Sequence, residues 1–123
     1  MTRIPSKQEI LDCLKEVAEA IHTDGGLAGI HVCANTDWSL VLDSSAEILS
    51  FDAYEYFDRL ALYAESLARF INHGRILAWG IVPTSNSDQI EAETTPSLAE
   101  KLRSQMARME ALGIGKDRIM AQS

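Results

Sequence analysis

Apolar positions in this chain fall into two patterns: helical stripes with a polar side, and short runs almost free of polar residues. Ser6-Lys7-Gln8-Glu9 matches a capping box, with Pro5 just before it. Ile10, Leu14, Val17, Ala18 and Ile21 then recur as one helical stripe, and Asp24-Gly25-Gly26 stops that helix. Leu27 to Cys33 is short, nearly all apolar and bounded by turn residues, which predicts a strand buried on both faces. Asn35 or Thr36 caps a short helix running through about Leu42. Ile48-Leu49-Ser50-Phe51 predicts a second buried strand ending at Asp52. A long helix follows over roughly Tyr56 to Asn72, with Phe57, Leu60, Ala64, Leu67 and Ile71 inward and Gly74 at the C-terminal cap. Ile76 to Val82 is the third strand, and Pro83 to Glu93 a polar loop. Thr95 caps a last helix with Pro96 at its first position. Its stripe is Leu98, Leu102, Met106 and Met109, and Gly113 ends it; Ile119-Met120-Ala121-Gln122 reads as the start of a fourth strand. Strict alternation of helices with continuous apolar strands predicts an α/β fold of parallel βα units joined by right-handed crossovers.

The chain's 123 residues make one domain, and 46% apolar with 24% charged residues is the balance of a soluble globular protein. No apolar run is long enough to span a bilayer. Met1 to Lys7 lack the apolar core of a signal peptide. A formal charge of −7 without a basic cluster argues against nucleic acid and anionic membranes as partners. Cys13 and Cys33 are too few for a secreted disulfide framework, so the expectation is a cytoplasmic protein with reduced thiols.

Ligands of parallel sheets gather at the carboxyl ends of the strands. His31 and Cys33 end the first strand, Asp52 the second, and Trp79 lies late in the third. His31 and Cys33 are two residues apart, so both side chains point to one face. Imidazole and thiolate together suit a borderline cation, zinc being the commonest, and Asp52 offers an oxygen ligand. The competing reading makes His31 an interior histidine hydrogen-bonded to Asp52, with Cys33 a small buried residue. Asn35 and Thr36 are most simply caps, although amides at that helix start face the same pocket and suit a carboxylate or carbonyl. Trp79 is either core or a pocket wall. Cys13 lies beside an apolar stripe and reads as a core thiol. His22 and His73 each end a helix, where a partly charged imidazole complements the dipole. Gly25-Gly26 precedes a strand and is a turn, not a phosphate loop. Glu91, Glu93 and Glu100 read as a solvated face, and no Gly-x-Ser-x-Gly elbow is present.

Gly29-Ile30-His31-Val32-Cys33-Ala34-Asn35-Thr36-Asp37-Trp38, Ile48-Leu49-Ser50-Phe51-Asp52-Ala53-Tyr54 and Ala78-Trp79-Gly80-Ile81-Val82-Pro83-Thr84 together resemble the second half of a barrel superfamily. That superfamily contains uroporphyrinogen decarboxylase and cobalamin-independent methionine synthase, with corrinoid-linked methyltransferases. The resemblance runs from Ser6 to Ser123 and is nearest the methionine-synthase-like branch. It implies that the chain, as a single partial domain over 1–123, forms roughly half of a TIM barrel. It implies zinc at His31 and Cys33, with Asp52 at a carboxylate position where methionine synthase has Glu. The family's final cysteine ligand follows the last strand and has no counterpart here, and Cys13 stands in the wrong place to replace it. By resemblance, zinc activates a thiol that takes a methyl group from a folate or a corrinoid, and Asn35, Asp52 and Trp79 line the substrate pocket.

A full barrel has about 250 residues and eight strands. Half of one leaves the inner sheet face bare. If that face exposes on the order of 500 Å² of apolar surface, it forgoes on the order of 12 kcal/mol of burial. The expectation is self-association as a dimer or larger. A methyltransferase fragment completed by a partner or missing half competes with a non-catalytic self-associating scaffold and with a decarboxylase-like enzyme. The last lacks an obvious arginine cluster for its carboxylates.

Overall fold

The computed structural model describes residues 3–123 and builds them into ten elements. These are α1 (Lys7–Thr23), β1 (Gly29–Val32), α2 (Trp38–Leu42), β2 (Ile48–Asp52), α3 (Ala53–Ala61), α4 (Ala64–Asn72), β3 (Ile76–Gly80), α5 (Ser87–Ala92), α6 (Thr95–Ala111) and α7 (Lys116–Ala121). Met1 and Thr2, part of the segment read for a leader, lie outside the described residues. The strands form one open, parallel sheet in the order β1-β2-β3, with alternating βα connections.

The sheet is covered on one side. Leu49, Phe51 and Leu77 are fully buried under the helices, with Trp38, Phe57, Leu60, Leu67, Phe70 and Ile71. Their neighbours in sequence point the other way. Gly29, His31, Ile76 and Gly80 are exposed, and Ile48, Ser50 and Ala78 half-buried. The expected strands buried on both faces are therefore strands of period two: polar His31 and Ser50 interrupt what reads as a continuous apolar run. At Gly80 the strands come so close that a Cβ would stand 2.7 Å from the Phe51 carbonyl oxygen.

Local chemistry explains where the elements depart from the sequence reading. Ser6 caps α1 by accepting the Glu9 N–H, but the Glu9 carboxylate pairs with Arg3 rather than closing the capping box. The short helix is capped by Asp37, not Asn35 or Thr36, and the last long helix by Thr94, not Thr95. The single long helix is two, α3 and α4, and the break at Leu62 and Tyr63 leaves Leu62 exposed. The polar loop contains α5, capped by Asn86. Residues 119–121 belong to helix α7, which buries Ile119 against the core, and not to a fourth strand. Cys13 is exposed rather than core. Glu93 is half-buried, accepting hydrogen bonds from Tyr54 and Ser97, and so is not part of a solvated face.

α1 sits at the β1 end, tied at both of its own ends by polar contacts. Lys7 Nζ donates to Ser39 Oγ at 2.8 Å and reaches Asp43 at 3.4 Å. At the other end His22 pairs with Glu47, whose second carboxylate oxygen accepts the Ala28 N–H at 2.9 Å. Burial pushes the Glu47 carboxyl up. The N–H groups of Ala28 and of Glu47 itself, with the His22 imidazole, outweigh it and hold the group below the usual carboxylate range.

A depressed folded-state pKa gives stability that is present above the unfolded value and lost as pH falls through the folded one. Glu47→Gln is expected to flatten the decline in stability on acidification below roughly pH 4.5. Urea unfolding at a series of pH values checks this, and equal acid slopes in both proteins would contradict it.

Candidate functional site

Of the residues that the sequence singles out, the uncovered sheet face holds His31 and Asp52. In register, His31 stands opposite Ser50 and Ser50 opposite Ala78, so these three share the face. His31 Nδ1 and Ser50 Oγ lie 3.0 Å apart. The interior histidine bonded to Asp52 is thus replaced by an exposed histidine bonded to Ser50, and Cys33 is exposed rather than buried. Ser50 went unnoticed in the sequence because its part depends on the pairing register, which no local motif encodes.

Asp52 follows two residues after Ser50 on the same face, but its carboxylate has a local task. Oδ1 accepts the Glu55 N–H at 3.1 Å and caps α3. Asn35 is an anchor rather than a helix cap: its side-chain oxygen accepts the indole N–H of fully buried Trp38 at 3.2 Å. Asp37 caps α2 instead, and the hydrogen bond from the Ser39 hydroxyl, at 2.6 Å, holds the Asp37 carboxyl below the usual range.

Trp79 stands apart from the others. It pairs with Phe51, so its ring lies on the helix-covered side, 5.4 Å from the Phe51 ring and stacked on Phe57 at 5.7 Å. Its N–H donates to Ser123 Oγ at 3.0 Å. Trp79 therefore does not wall a pocket with His31. The side-chain period of two decides this, because positions 51 and 79 are odd partners of the even, uncovered positions 50 and 78.

Among the described residues, no three His, Cys, Asp or Glu side chains gather closely enough to hold a metal ion. His31 and Asp52 share a face without converging, the imidazole leaning on Ser50 and the Asp52 carboxylate capping α3, while Cys33 lies exposed just past the end of β1. A hydroxyl on Nδ1 is the kind of support that fixes a ligating imidazole and leaves Nε2 for another partner. As they stand, the residues do not make a zinc site from this chain alone. Of the histidines at helix ends, His73 has Nδ1 2.6 Å from the Arg69 carbonyl in the last turn of α4, whereas His22 turns to the Glu47 carboxylate. No described helix is long and apolar enough to cross a membrane.

The chain matches no protein-family model, no curated protein and no solved structure.

Asn35→Ala is expected to cost about 1–2 kcal/mol of stability, because it leaves a buried indole N–H without an acceptor. Asn35→Asp keeps the acceptor and is expected to cost less. Urea denaturation ranks the two variants, and an unaffected alanine variant would remove Asn35 from its anchoring role.

Proposed function

We propose that this chain is an assembly module: half of a TIM-like βα layer, completed by another polypeptide surface, in the simplest case a second copy of itself. The one-sided sheet carries this reading. Helices cover Leu49, Phe51 and Leu77, while the opposite face keeps Ile48, Ile76 and Ala78 at least partly in water beside His31 and Ser50. Parallel sheets occur almost only with both faces covered. The bare face is less apolar than half a barrel interior was expected to be, since Gly29, His31, Ser50, Asp52 and Gly80 share it. That softens the penalty of exposure without removing it. Light scattering is expected to give at least twice the 13.6 kDa chain mass at micromolar concentration. A monomer that unfolds cooperatively would overturn the reading.

A second reading has one observation in its favour. His31 lies on the uncovered face, where a completing surface would meet it, and Cys33 is exposed just past the end of the same strand. In that reading the assembled protein is methionine-synthase-like, with zinc held partly by this chain, a thiol as methyl acceptor and a folate or corrinoid as donor. The remaining ligands would come from the completing chain. The protein would act in the cytoplasm, where the exposed thiols of Cys13 and Cys33 stay reduced. Metal analysis of the assembled protein is expected to find zinc that a His31→Ala/Cys33→Ala double variant loses. Metal-free protein that takes up no added zinc would leave only the scaffold.

A further inference from the structure

Two apolar helix surfaces lie at opposite ends of the sheet. At the β1 end, α1 leaves Val17 60% and Ile21 37% exposed. Both residues rim an apolar groove of about 160 Å³ formed with Ala28, Gly29 and Ile30 at the start of β1. α1 contributes nothing to the main hydrophobic cluster, so its stripe has spare apolar surface. At the β3 end, α6 and α7 form a larger groove of about 360 Å³. Met106, Ala107 and Met120 line it, and Met120 is 61% exposed. α7 reaches the outer side of β3. The Ile76 N–H turns to β2 and donates to Glu47, so the Leu77 N–H turns outward, where it donates to the Gln122 carbonyl at 2.8 Å.

We propose that these two surfaces bind each other between copies: the α1 stripe of one chain seats in the α6–α7 methionine groove of the next. This rests on the assembly reading above and names the surfaces that carry it. Shape supports it, because a helix ridge of branched side chains meets a groove lined by adaptable methionines. Charge supports it too. α1 carries four carboxylates against two lysines, whereas residues 95–121 carry five cations against three carboxylates, in a chain whose net charge is −7. Glu16 adjoins Val17 in sequence and forms no ion pair among the described residues; Lys116 lines the receiving groove and forms none either, and with Arg103 there it outbalances the one carboxylate of the lining, Glu110, to leave the groove net positive. Pairing α1 with α1 would instead set two acidic helices against each other. The contact of the α1 stripe with the groove is head-to-tail, and it closes into a ring where the rotation allows.

Charge exchange tests this with the full chain. Glu16→Lys alone and Lys116→Glu alone are each expected to weaken self-association roughly fivefold at low salt, read by sedimentation equilibrium. An equimolar mixture of the two is expected to regain wild-type association, because every alternating contact is again of opposite sign. Val17→Asp and Met120→Asp, at exposed positions, are each expected to weaken association at least tenfold, with the circular dichroism of the associated form unchanged and thermal unfolding shifted down as the assembly comes apart. Single variants that associate like the wild type, or a mixture that stays dissociated, would overturn the pairing while leaving self-association standing. A wild-type monomer would overturn both.

Discussion

Three parallel strands have two faces, and the helices that connect them here cover one. Everything else follows from that asymmetry. The covered face collects the large apolar side chains, Phe51, Leu49 and Leu77, with Trp38 edge-on to the Phe51 ring at a centroid distance of 6.2 Å. The other face receives whatever the alternate positions hold, and these are small or polar. A sequence built to fill a closed interior would place more branched residues there. The small set actually present keeps the bare face tolerable in water and gives His31 and Ser50 room to meet.

Much of the layer was legible in the sequence because its signals were local. Capping at Ser6, the turn at Asp24-Gly25-Gly26 and the stops at Gly74 and Gly113 all lie where chain chemistry places them; the three glycines at 25, 74 and 113 adopt positive φ. What stayed hidden depends on tertiary pairing. Continuous apolar strands do not say which face the helices cover, so Trp79 read equally as core or pocket. Ile119 and Met120 look like a strand in isolation, yet packing of Ile119 against the core makes them helical. The break between α3 and α4 has no glycine or proline to announce it.

The candidate site shows the same division. Asp52 and Asn35 were singled out for their chemistry, and each turns out to hold backbone or core in place: Asp52 at the α3 start, Asn35 on the Trp38 indole. Short polar residues after parallel strands serve such tasks often, because the next helix begins there and its first N–H groups need acceptors. Glu47 is the counterpart at the opposite end of the strands. A single carboxylate gathers the end of α1, the entry to β1 and, through its own main chain, the first residue of β3.

The placement of the two tryptophans has a practical consequence. Both indoles lie on the helix side, one sealed against Phe51 and the other stacked on Phe57. Intrinsic fluorescence therefore reports how the helices dock onto the sheet, and is nearly blind to events at the imidazole on the far side. Binding there will pass unseen by emission spectroscopy, and a label or a nuclear probe on His31 is the instrument that would register it.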